Sequence, residues 1–219
     1  MKRVVFIVEG ATEISFVNKK MIPYLYAQTG HAGSIEAITI TTNVKKNKKG
    51  GIGSFEKFKN EVERVQATGN VIITTLLDFY GLPTSFPNHS DDVQRIKEIE
   101  DGMADQIGSS DFIPYLQKHE LEALMFSSEE VLHNAVDTKE QEEAVSAIIK
   151  AYTNPEDINN SPQTAPSKRL DSILDPYEKT VHGDLIFDDL TMEEILSQCP
   201  RFKEWVDKLV ERLNLDQNK

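Results

Sequence analysis

Residues 4–8, Val-Val-Phe-Ile-Val, form an unbroken apolar run that ends on Glu9 and Gly10. A run without alternation, rich in β-branched residues, is what a strand buried on both faces requires. Such strands belong to parallel sheets covered by helices. The run therefore delivers a carboxylate at the carboxyl end of a buried strand, the edge of an open α/β sheet where ligands bind. A second run, Val71-Ile72-Ile73-Thr74-Thr75-Leu76-Leu77, ends the same way, in Asp78. Two strands that present acids at one sheet edge suggest a divalent cation and a phosphate-containing substrate.

The rest of the chain supplies the layers. Residues 10–28 read as a helix with Ile14, Phe16, Val17, Met21 and Leu25 apolar, and Pro23 predicts a kink or a break near Met21. Residues 35–42 alternate as a strand does. Ser54 is placed to cap a helix reaching about Ala67, with Phe55, Phe58, Val62 and Val65 on one face. A turn-rich stretch over 81–88 leads into a polar helix over about 91–107, and 112–116 reads as a short strand. This strand–helix alternation predicts an α/β fold, a mainly parallel sheet flanked by helices. From Glu120 onward the pattern is helical, with capping-box spacings at Ser127/Glu130 and Thr191/Glu194. Residues 1–125 are expected to form the α/β domain, and 126–219 a helical C-terminal extension packed on it.

A net charge of −12 over 219 residues argues against coating nucleic acid by bulk attraction, which needs clustered Lys and Arg. The local exception is the glycine-rich loop 43–53, where Lys45, Lys46, Lys48 and Lys49 could contact phosphates; it has no interleaved aromatics for base stacking. The single Cys199 excludes an internal disulfide and a cysteine metal cluster, and beside Phe202, Trp205 and Leu209 it reads as packing. No apolar run is long enough to span a bilayer, and the N-terminal run of about five residues is too short for a signal core. The expectation is a cytoplasmic protein without membrane contact. The chain has no glycine-lysine-serine phosphate loop, so ATP hydrolysis by this chain alone is not expected.

Four constellations could carry chemistry. Glu9 can ligate a metal or act as a general acid or base, and the Gly10-Ala11-Thr12 helix start can hold an anion through backbone N–H groups. The structural alternative is a solvated acid with Thr12 as a cap. Asp78 follows seven uncharged residues, so if buried it needs donors or a ligand; alternatively it forms a turn before Gly81. Tyr80 would share its face along an extended strand. In His119-Glu120-Leu121-Glu122 the two acids would point together after a strand and diverge on a helix. Ser167 could cap a helix after Pro166, and Lys168, Arg169 and Lys179 are cations in an acidic half that could offset charge on a phosphate or be ordinary surface charge.

Val8-Glu9-Gly10-Ala11-Thr12-Glu13 resembles the signature of Toprim domains, the metal-binding catalytic domains of topoisomerases, bacterial primases and OLD-type nucleases. The ordered set with Leu77-Asp78-Phe79-Tyr80-Gly81-Leu82-Pro83, 119–124, 166–170, 177–179 and 199–205 resembles a stand-alone, OLD-nuclease-related branch and spans nearly the whole chain. The resemblance implies a Toprim-like fold and a Mg²⁺- or Mn²⁺-dependent nuclease acting on DNA or RNA. Glu9 and Asp78 would be its catalytic, metal-binding acids, with Glu120 and Glu122 as further ligands and Lys179 as the cation at the scissile phosphate. Gly10, Thr12, Glu13, Tyr80, Lys168 and Arg169 would meet substrate. Most Toprim domains carry Asp-x-Asp where this chain has Asp78-Phe79-Tyr80. The resemblance also implies a partner ATPase of ABC or AAA type and a role in defence against phage, and it is compatible with a homo-oligomer. The alternatives are a non-catalytic Toprim-like subunit that binds a nucleotide or a partner, and a small-nucleotide phosphohydrolase.

Overall fold

The computed structural model of the chain describes residues 1–40, 52–159, 164–174 and 176–217. The lysine-rich stretch over 43–51 and the end of the strand expected at 41–42 lie outside the described residues. Four parallel pairings build the sheet. β1 (Arg3–Val8) lies between β2 (Ile35–Thr39) and β3 (Val71–Asp78), and β3 carries two short strands in succession on its other side, β4 (Phe112–Ile113) and β5 (Leu116–Gln117). The fold is the expected one, a mainly parallel α/β sheet flanked by helices.

The unbroken apolar runs are explained by two cores. Val4, Phe6 and Val8 of β1, with Ile72 and Leu76 of β3, face one core; Val5 and Ile7, with Ile73 and Leu77, face the other. Period-two alternation thus persists, but both faces are apolar. The second core is closed by α3 (Phe55–Gln66), through Phe58, Val62 and Val65, and by α4 (Ile96–Ile107), through Ile96, Ile99 and Met103. The first is closed by Phe16, Val17, Met21 and Leu25 and by the C-terminal helices, including Phe202, Trp205, Val206 and Leu209 of α10 (Pro200–Gln217). The C-terminal half therefore completes the core of the sheet.

Helix α1 (Ala11–Phe16) passes through a π-helical turn, Val17–Met21, into α2 (Ile22–Thr29). The break expected at Pro23 takes this form. Proline has no N–H for the carbonyl four residues back, and the wider turn places the Ile22 N–H on the Val17 carbonyl. The strand expected over 112–116 is split by Pro114. Threonine hydroxyls bridge the gap: Thr75 Oγ1 donates to the Tyr115 carbonyl and accepts from the Tyr115 N–H, both at 2.7 Å. The open edge of β5 is covered by side chains. Glu100 Oε1 accepts the Leu116 N–H at 2.7 Å, Arg201 Nη2 donates to the Leu116 carbonyl at 3.1 Å, and Arg201 and Glu100 pair with each other.

Two expected caps are corrected. Ser128, and not Ser127, caps α5 (Glu129–Asn134) by accepting the Val131 N–H; Ser127 instead lies 3.4 Å from the buried Cys199 Sγ. Ala165 takes the cap position of α7 (Pro166–Ile173), so Ser167 lies inside the helix. The box at Thr191 and Glu194 forms as expected, at the start of α9 (Met192–Gln198). Between α5 and α7 runs α6 (Lys139–Ala151), and a second π-helical turn, Lys179–Gly183, leads into α8 (Asp184–Asp189). No helix among the described residues is long and apolar enough to cross a membrane.

Candidate functional site

The sheet brings its two acid-tipped strands side by side. Val8 pairs with Leu76, so Glu9 and Asp78 leave the same edge one step apart. The Asp78 N–H donates to Glu9 Oε1 at 2.9 Å. Helix α1 begins directly after Glu9, with Gly10 as its cap in extended backbone, so Thr12 is not the cap. Glu13 turns back and accepts the Gly10 N–H at 2.9 Å. That N–H, expected to face an anion, is taken by a neighbouring carboxylate in this arrangement.

The second part of the site comes from beyond β5. Glu120 stands in extended backbone just before a 3-10 segment, Leu121–Ser127, and Glu122 lies in its first turn. The two side chains take different partners. Glu120 Oε2 accepts the Ser167 N–H at 2.9 Å, near the start of α7. Glu122, only 2% exposed, meets Lys179: Nζ lies 2.7 Å from Oε1, a charge contact without hydrogen-bond alignment. Lys179 opens the π-helical turn Lys179–Gly183.

These groups feel one another. Burial pushes Asp78 well above the ordinary carboxylate range, and the charges of Glu9, Glu13, Glu122 and Glu120 push it further. Burial likewise raises Glu9 to about 7, against the lowering hydrogen bond from Asp78, with Glu13 adding to the rise. Glu13 is raised by burial and by Glu122. Burial disfavours the Lys179 ammonium, but Glu122, Glu120 and Asp78 outweigh it and hold its pKa above the usual value. Five carboxyl groups, Glu9, Glu13, Asp78, Glu120 and Glu122, thus share an electrostatic field with the Lys179 ammonium.

The other expected residues divide. Tyr80 sits at the rim, 38% exposed, with Glu120 near enough to raise its hydroxyl beyond the effect of burial. Lys168 pairs with Asp171 at 3.6 Å. Arg169 donates to the Thr164 carbonyl and the Tyr152 hydroxyl, both at 2.9 Å, and its guanidinium lies 5.2 Å from the Tyr152 ring centre. The contacts of these two cations lie with their own helix and with Tyr152, not with the acids. The sequence reading missed Tyr177. Burial raises its hydroxyl strongly, and Glu122 and Glu120 raise it further, so it belongs to the same field. It also missed the backbone donor of Ser167. Pro166 at the first turn of a helix signalled an N-terminus there, but not that Glu120, 47 positions earlier, would meet it.

The donor set is all carboxylate oxygen, which suits a hard cation such as Mg²⁺ or Mn²⁺. Among the described residues, no three His, Cys, Asp or Glu side chains are already gathered into a metal cage. Three of the carboxylates are instead held by backbone N–H groups, Glu9 by Asp78, Glu13 by Gly10 and Glu120 by Ser167, and Glu122 is ion-paired with Lys179. The fit to a cation is one of charge and donor type, and gathering the ligands requires rotation of glutamate side chains.

A family model described as a domain of unknown function (DUF4276) matches residues 8–210. Two solved structures are similar at low identity. The C-terminal region of the Burkholderia pseudomallei OLD protein is 14% identical with a TM-score of 0.49, over 97% of this chain and 99% of that chain. The C-terminal region of the Xanthomonas campestris pv. campestris OLD protein is 12% identical with a TM-score of 0.46, over 99% of this chain and 98% of that chain. No curated protein matches the sequence.

Proposed function

The chain belongs to the DUF4276 family, and from the acid cluster at its sheet edge we propose a divalent-cation-dependent nuclease that hydrolyses phosphodiesters of DNA or RNA. One observation carries the reading: among the described residues five carboxyl groups share a part-buried site with the Lys179 ammonium, and burial already lifts Glu9 to about 7. Unpaired buried charge is costly, so the cluster must take up protons or a cation. The motif order that resembles Toprim domains points the same way.

Glu9, Asp78, Glu120 and Glu122 would hold Mg²⁺ or Mn²⁺. When bound, the cation would activate water and stabilise the leaving oxygen. Without a cation, Glu9 titrates near 7 and can exchange a proton at neutral pH; as a ligand of a bound cation it would be held deprotonated. Lys179, paired with Glu122, would offset negative charge developing on a phosphate held by the cation. Glu13 keeps the Gly10 N–H occupied and fixes the turn that aims Glu9. The net charge of −12 favours delivery of substrate by a partner, and the resemblance suggests an ABC- or AAA-type ATPase within a phage-defence system.

A non-catalytic binding role is favoured by one feature, Tyr80 at the position where Toprim domains carry a second acid. Plasmid DNA and tRNA incubated with the full chain in Mn²⁺, with and without an ATPase partner, separate the readings. The nuclease reading expects cleavage that Glu9→Gln and Asp78→Asn abolish. Equal products from wild type and variants under every condition contradict it, and consumption of free nucleotides instead favours a phosphohydrolase.

A further inference from the structure

Tyr80 is a large side chain left 38% exposed two residues beyond Asp78. Its ring stacks on His119, with centroids 5.2 Å apart and planes 27° from parallel. His119 is only 4% exposed, so it backs Tyr80 from inside. Its backbone lies in the left-handed region, at φ 68°, which a residue with a Cβ enters at a cost. Strain of this kind persists where the surroundings over-determine a position. Here Asn159 helps to do so: its amide lies 3.4 Å from His119 Nδ1, and its side chain also hydrogen-bonds Tyr80. Gly81 follows at φ 84° and turns the chain away, leaving Tyr80 at the tip of the β3 extension. The pair presents an aromatic surface beside a cluster of acids.

An exposed ring, stiffened from behind and set next to a candidate phosphodiester site, has the properties of a base-stacking platform. Every nucleobase offers a π-face, so such a platform is tolerant of sequence, but a base inside a duplex has both faces already covered. We propose that Tyr80, backed by His119, stacks one unpaired base of a single-stranded nucleic acid and so sets the register of the strand beside Glu9 and Asp78. This rests on the nuclease reading and adds a substrate class to it.

The test uses the full chain and oligonucleotides carrying 2-aminopurine, offered single-stranded and as a blunt duplex of the same sequence. Binding is followed by 2-aminopurine fluorescence and cleavage by gel, each in Mn²⁺. The expected result is base-dependent fluorescence quenching and at least about tenfold tighter binding of the single strand, with Tyr80→Leu losing both and Tyr80→Phe keeping both. A wild type that binds duplex as tightly, or a Tyr80→Leu variant that quenches like wild type, overturns the proposal. Cleavage that depends on Glu9 but shows no quenching removes the platform and leaves the nuclease. Quenching that depends on Tyr80 without any Glu9-dependent cleavage removes the nuclease and leaves a single-strand binding site.

Discussion

The backbone N–H of Asp78 donates to the carboxylate of Glu9 across 2.9 Å, joining the tips of two adjacent parallel strands. The bond links the acids in both position and charge. It lowers the Glu9 pKa, yet burial and Glu13 more than offset it, and the Glu9 charge in turn helps to raise Asp78.

Glu9 titrates near 7 in the fold and near 4.5 when unfolded. A raised acid contributes stability that is fully present below the unfolded value and is lost as pH rises through the folded one. In chelator, thermal stability of the wild type should therefore fall between about pH 5 and pH 8, by up to about 3 kcal/mol. Glu9→Gln removes the ionisation and should flatten that slope. Melting curves across the range check it; identical slopes contradict it.

Cation binding must displace the proton from Glu9. Mn²⁺ affinity should tighten roughly tenfold from pH 6 to pH 8, because a group titrating near 7 is mostly protonated at the lower pH. Calorimetric titration at several pH values measures this directly, and a pH-independent affinity would remove Glu9 from the ligand set.

Lys179 stands 2.7 Å from a carboxylate that is almost fully buried. Lys179→Met should lower cleavage about 100-fold or more, as loss of a charge that stabilises a developing anion does. The variant strands the buried Glu122 carboxylate, so it should also cost about 2 kcal/mol of stability at neutral pH, less at low pH where Glu122 can take a proton. Single-turnover cleavage alongside denaturant melts separates the two effects, and a variant that loses stability but cuts normally limits Lys179 to a structural role.

Glu156 holds the start of α10 from a distance: Oε2 accepts the Arg201 N–H at 2.9 Å and Oε1 the Phe202 N–H at 3.1 Å. It is fully buried. Glu156→Ala leaves both donors without this acceptor and should cost about 2 kcal/mol. Urea unfolding of the variant gives the value, and a change below about 0.5 kcal/mol would mean that another group replaces the cap.

Much of this could be read from local pattern. The unbroken run 4–8 and the run 71–77 announced two-faced burial, and each delivered its acid to the same sheet edge. What could not be read was set by contacts distant in sequence. Nothing local marks Ser167 as the donor to Glu120, Arg201 as the partner of Glu100, or Glu156 as the cap of α10. Lys168 and Arg169 could be read as phosphate-facing cations or as ordinary surface charge, because charge in a sequence has no direction; in the fold they meet Asp171 and Tyr152. Ser127 lost the cap to Ser128 by one residue, the scale on which helix ends are least determined by pattern.

If the acids around Lys179 form a divalent cation site, they bind Mn²⁺ in the absence of substrate. Electron paramagnetic resonance of free Mn²⁺, titrated against the full chain at pH 8, tests it without reference to substrate. The predicted result is saturable loss of the free-ion signal with wild type and little loss with Asp78→Asn. Equal signals from wild type and Asp78→Asn at every protein concentration would contradict it.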